Sequence, residues 1–186
     1  MLLKRYSEKI RGLVSRVDDE AFLRAASYLE RLGAMGNKVL LVGNGGSASI
    51  CSHLAVDFTK SAGIRAINFS DPALLTCFGN DYGFIEAYSQ MVQVYGDQGD
   101  VLIAISSSGA SLNIVNAVRA ARSLEMSVIT LSGFERDNPL RKLGDINFYL
   151  GSFEYNLVEN GHEQILLALC DYLRLGEVSF RSWVDE

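Results

Sequence analysis

Two prolines, two histidines, one tryptophan and three cysteines in 186 residues are low counts, and each narrows the possibilities. So little proline excludes a proline-rich spacer or a fibrous repeat. Cys51, Cys77 and Cys170 are odd in number, widely spaced and free of any Cys-x-x-Cys, which predicts reduced, mostly buried thiols rather than a disulfide framework or a zinc ribbon. No apolar run approaches the ~18 residues of a membrane span. The start, Met1-Leu2-Leu3-Lys4-Arg5, is charged too early for a secretory signal, so the expected setting is cytoplasmic, with no membrane partner. A dense basic run is also missing: 17 Lys plus Arg stand against 22 Asp plus Glu, a net charge of −5, so nucleic acid is not expected as a direct ligand.

What remains is the balance of an ordinary globular chain, 48% hydrophobic and 21% charged, of a length that suits one domain. Apolar residues at Leu2, Leu3, Tyr6, Ile10, Leu13 and Val14, then at Ala21, Phe22, Ala25, Ala26, Leu29 and Leu32, predict two leading helices over residues 1–35, broken near Val17-Asp18-Asp19. From residue 36 to 186, short apolar runs alternate with helical periodicity. The runs are Lys38–Gly43, Ala66–Phe69, Val101–Ile105, Val128–Leu131 and Ile146–Leu150, and a closing helix follows at about Asn156–Leu175. Alternation of this kind predicts an α/β fold with a doubly wound parallel five-stranded sheet flanked by helices, of flavodoxin-like order 2-1-3-4-5.

Two of the strands run into unusual loops. The first continues into Gly43-Asn44-Gly45-Gly46-Ser47-Ala48-Ser49, where small residues let a backbone approach an anion and the next helix offers free N–H groups; such a turn can equally serve helix packing alone. The third continues into Ser106-Ser107-Ser108-Gly109-Ala110-Ser111, which brings the hydroxyls of Ser106, Ser107, Ser108 and Ser111 to one helix N-terminus. One serine suffices for a cap, so four suit a phosphate monoester better. Because these loops follow strands one and three, the sheet order places both around one crevice. Neither is Gly-x-Gly-x-x-Gly or a Gly-Lys-Ser/Thr P-loop, so the expected ligand is a phosphorylated small molecule rather than NAD or ATP.

Ionisable groups are few. His53 and Asp57 share a helix face at i,i+4, and Glu159 and His162 share one at i,i+3. Two histidines with their carboxylates suit zinc or another divalent metal, or are plain surface pairs. Asn80-Asp81-Tyr82-Gly83 reads as a polar turn that either caps a helix or presents Asp81 to a sugar hydroxyl.

Together, Gly43-Asn44-Gly45-Gly46-Ser47-Ala48, Gly79-Asn80-Asp81-Tyr82-Gly83, Gly99-Asp100-Val101-Leu102 and Ile105 to Ser111 resemble the sugar isomerase (SIS) domain family, and within it the phosphoheptose isomerase branch. The resemblance implies a cytoplasmic homotetramer with sites between subunits. It also implies an aldose–ketose isomerase acting on sedoheptulose 7-phosphate or a related ketose phosphate, for surface-polysaccharide heptose synthesis. By position, Gly45, Gly46, Ser47, Ser106, Ser107, Ser108 and Ser111 would hold the phosphate, and Asn44 and Asp81 would face the sugar. His53, Asp57 and Glu159 would be the metal ligands, with Asp57 standing where the family has a glutamate base and Glu159 where it has a glutamine. The family's second catalytic residue, a histidine on the closing helix, falls on Leu167, which cannot move a proton; Asp57 as base and His162, or a metal-bound water, as acid are the expected replacements. Leu167 also keeps open a non-catalytic SIS module that binds a phosphosugar or a protein partner, as one relative does with the bacterial replication initiator.

Overall fold

The computed structural model describes residues 1–184. Its elements, in chain order, are α1 Leu2–Val14, α2 Asp19–Met35, β1 Val39–Gly43, α3 Gly46–Lys60, β2 Ala66–Asn68, α4 Pro72–Tyr82, α5 Phe84–Tyr95, β3 Val101–Ser106, α6 Leu112–Ser123, β4 Ser127–Gly133, β5 Ile146–Leu150 and α7 Tyr155–Val184, which is kinked at Gly176. All neighbouring strands pair in parallel, in the order β2-β1-β3-β4-β5. That is the expected doubly wound order, in which the two loops at the ends of β1 and β3 flank the position where the winding reverses.

The strands read as continuous apolar runs because both faces of the sheet are covered. Their residues alternate between two cores. Val39 and Leu41 of β1 with Val101, Ile103 and Ile105 of β3 face the core closed by Leu29 of α2, Leu54 and Phe58 of α3 and Leu166 and Leu169 of α7. Leu40, Val42, Leu102 and Ala104 face the opposite core, closed by Tyr88, Met91 and Val92 of α5 and Ile114, Ala117 and Val118 of α6.

Local chemistry sets the boundaries. Asp18 accepts from the Glu20 N–H and caps α2, which ends at Gly36 in the left-handed region (φ 75°). Asp71 caps α4 in the same way, with Pro72 at its first position. Asn80-Asp81-Tyr82 lie inside that helix, so the expected polar turn is a helix end closed by Gly83. The apolar residues Leu74, Leu75 and Phe78 pack partly on the second core and carry the helix through. Beneath the sheet, buried Asp100 accepts from the Lys38 and Asp97 backbone N–H groups and from the Lys38 ammonium at 2.6 Å, fixing the entries to β1 and β3. Cys51 and Cys170 are buried and Cys77 exposed, all as free thiols. Among the described residues no helix is long and apolar enough to cross a membrane.

Candidate functional site

The crevice at the ends of β1 and β3 is built by close approach. Gly43 ends β1 directly under the first turn of α3, and a β-carbon there would lie 2.7 Å from the Ser47 carbonyl carbon. Only glycine lets the helix start so near the strand. The Tyr88 hydroxyl donates to the Gly43 carbonyl at 2.7 Å, and burial pushes that phenol up to about 12, so it stays a donor.

Across the crevice the serine loop is organised as a hydroxyl cluster. Ser111 is the N-terminal cap residue of α6, yet its side chain makes no capping bond; it accepts from the Ser106 hydroxyl at 3.1 Å. The Ser108 hydroxyl accepts from the Ala110 N–H and lies 3.5 Å from that of Ser106. The Ser107 hydroxyl is buried without a hydrogen-bond partner. A bare capping role explains none of this, whereas an oxyanion at the N-terminus of α6 would draw these hydroxyls away from one another. Gly109 turns the loop with φ +64°, directly over the buried Asn138 side chain, whose own donors go to Ser132, Gly133 and Glu135.

Asn113, which has no counterpart in the loop motifs, joins the two halves. Its amide and that of Asn44 exchange two hydrogen bonds, at 3.0 and 2.9 Å, so the two loops are held in one register. Ser47 is buried at the start of α3, while Gly45 and Gly46 remain exposed beside it. Asp81 is on exposed α4, where it accepts from the Asn80 amide; none of its hydrogen bonds reaches the serine cluster.

The ionisable residues separate into two groups. On the face of α3 that meets α7, His53 lies between two carboxylates: Nε2 is 3.4 Å from Asp57 Oδ2, and Nδ1 is 2.9 Å from Glu163 Oε1. Glu163 was not singled out in the sequence, because its partner is 110 positions away. The signal was nonetheless present: Glu159, Glu163 and Leu167 recur at i,i+4 along α7 and form one stripe toward α3. Glu159 holds the first place on it, with its carboxyl group against Gly46, where a β-carbon on α3 would have to displace it. Burial raises the Glu159 carboxyl above the ordinary carboxylate range.

His162 does not join this group. Its ring is fully buried, Nε2 lies 3.2 Å from the Ser132 carbonyl oxygen, and Nδ1 has no partner. Desolvation pulls it down to about 4, so it is a neutral core imidazole at neutral pH. The i,i+3 spacing from Glu159 suggested a shared face, but His162 falls on the adjacent stripe of Val158, Ile165 and Leu169, and that stripe packs into the sheet. It is therefore corrected from acid to core residue. The expected metal ligands His53, Asp57 and Glu159 are not gathered at one point in this structure. Glu159 lies at the start of α3 and His53 and Asp57 farther along it, both ring nitrogens of His53 face carboxylates, and Leu167 supplies no donor atom. Among the described residues no three His, Cys, Asp or Glu side chains are grouped to hold a metal ion, so the donor set does not fit one.

Comparison with known proteins agrees with this fold. The sequence model of the SIS domain family matches residues 5–133, which span the crevice loops, His53 and Asp57 and stop short of α7. The chain is 39% identical over 140 residues to the phosphoheptose isomerase of Escherichia fergusonii, covering 73% of this chain and 72% of that one. It is 38% identical over 135 residues to that of Burkholderia pseudomallei, covering 69% and 68%. The structure of the phosphoheptose isomerase from Neisseria gonorrhoeae superposes with a TM-score of 0.84 at 31% identity, over 92% of this chain and 97% of that one.

Proposed function

This chain belongs to the SIS domain family, and we propose from that premise that it is a phosphoheptose-type isomerase in which Asp57, His53 and Glu163 carry the protons. The substrate is a ketose phosphate such as sedoheptulose 7-phosphate, on the way to heptose for surface polysaccharide. The phosphate occupies the serine cluster between α3 and α6, with Asn44 toward the sugar chain. From Gly46 to His53 the α3 axis advances about 10 Å, so the proton-transfer group stands away from the phosphate, where the carbonyl end of an extended sugar chain would reach.

Interconversion of ketose and aldose through an enediol needs a base for the proton on the carbon beside the carbonyl and a group that moves a proton between the two oxygens. Asp57 is partly exposed and has His53 at its side, which suits the first task. The Glu163 carboxylate accepts from Nδ1–H of His53 and so leaves Nε2 on the Asp57 side to take up and return a proton. In this way His53 does the work that Leu167 cannot, and no step passes through a metal. The observation that carries this reading is the imidazole bracketed by two carboxylates on the helix that starts at a hydroxyl-lined crevice.

A cytoplasmic homo-oligomer, a tetramer in the family pattern, is part of the same reading. Leu2 and Leu3 of α1 and Tyr82, Phe84 and Ile85 at the α4–α5 corner are exposed apolar side chains that a neighbouring copy would cover. The function is tested by following sedoheptulose 7-phosphate by NMR with the purified protein. Aldose signals should grow with wild type and not with Asp57→Asn, and binding of the sugar without conversion by the wild type would instead identify a phosphosugar-binding module.

A further inference from the structure

A second cavity, of about 500 Å³, shares no lining residue with the serine cluster and lies between the α1–α2 turn and the connection from β4 to β5. It is lined by Arg16, Arg136 and Arg141 together with Asp18, Tyr149 and Asn147. The volume is that of a small-molecule site. In a chain of net charge −5, three arginines line this cavity with one acidic residue, and Asp18 is occupied in capping α2. None of the three arginines forms a salt bridge among the described residues. The ion pairs of the other arginines, Arg122 with Asp145 and Arg174 with Asp171, lie elsewhere.

The cavity is also partly preorganised. The Arg141 guanidinium is stacked 4.3 Å over the Tyr149 ring and donates to the Arg136 carbonyl at 2.8 Å. Tyr149 is fixed in turn by its hydroxyl, which donates to the Phe134 carbonyl at 2.7 Å. Arg141 is thereby held with donors to spare, and Arg16 and Arg136 flank it from two different segments. Arginines that line one concavity without ion pairs among the described residues are matched by oxyanions, which guanidinium groups bind in forked geometry.

We propose that this cavity binds a small polyanion carrying two or more phosphate or carboxylate groups, separately from the sugar phosphate in the β1–β3 crevice. The test is isothermal titration of the full chain with pyrophosphate and, in parallel, with citrate, at constant ionic strength. Saturable binding of at least one is expected. Losing a charge-assisted partner should weaken it about tenfold or more in Arg16→Ala and in Arg136→Ala, both surface substitutions. The double variant Ser106→Ala, Ser111→Ala should leave the arginine-dependent binding unchanged. Preference for pyrophosphate or citrate would tell whether the ligand is phosphorylated or carboxylic. Absence of saturable binding of either anion, binding indifferent to the two arginines, or binding lost with the serines would overturn the proposal.

Discussion

Burial of His162 makes the stability of this protein fall as the solution is acidified from about pH 8 to about pH 5. The ring is desolvated against Ser132 and drawn down to about 4 from the ordinary 6.5, so between those values the unfolded chain binds a proton that the folded chain refuses. The cost is absent well above 6.5, grows as pH falls below it and levels off under 4. At pH 5 the two values give about 2 kcal/mol, with a ceiling of about 3 kcal/mol, from ~1.4 kcal/mol per pKa unit. The assay is urea unfolding followed by circular dichroism at both pH values, for wild type and for His162→Gln, whose amide can still donate to the Ser132 carbonyl but does not titrate. Subtracting one protein from the other removes the carboxylates common to both, including Glu159, whose raised value acts with the opposite sign. Wild type should lose about 2 kcal/mol more than the variant. Parallel losses would refute the argument and mean that His162 can be protonated in place.

Four other outcomes follow from the same geometry. Asp57→Asn should lower turnover about 10²–10⁴-fold with little change in phosphosugar affinity, read by comparing kcat with a binding titration. Ser106→Ala with Ser111→Ala should do the reverse, weakening the sugar phosphate at least tenfold through lost hydroxyl partners. Asp100→Ala leaves the Lys38 and Asp97 N–H groups without their acceptor, while the Lys38 ammonium keeps Asp97, and should cost about 3 kcal/mol in urea unfolding. Exhaustive treatment with a chelator should leave the isomerisation rate unchanged, because among the described residues the side chains do not gather into a metal site.

The architecture was legible because its signals are local. Strands such as Leu40 to Val42 and Leu102 to Ala104 are apolar on both faces, and buried parallel strands have to be; the rules for doubly wound sheets then left the observed order as the expected one. The serine loop was legible for the same reason, as its chemistry is contiguous. The Asn44–Asn113 amide pair and the His53–Glu163 contact were not, since each joins residues far apart in sequence whose proximity depends on how two helices sit on the sheet. His162 was misassigned by trusting spacing over stripe: three residues from Glu159 it lies about 60° away around α7, enough to carry it from the crevice side into the core. The end of α4 was misjudged because Asn80, Asp81 and Gly83 are turn formers, while packing of Phe78 on the second core overrode that preference.

Proton transfer by Asp57 within the His53 and Glu163 array is the central claim, and isomerisation of sedoheptulose 7-phosphate in D2O tests it most directly. Mass spectrometry and NMR of the recovered sugar should show solvent deuterium on the carbon beside the carbonyl with wild type, much less with Glu163→Gln and none with Asp57→Asn. Sugar that binds yet returns without deuterium or aldose would contradict the account, as would labelling that persists undiminished in Asp57→Asn.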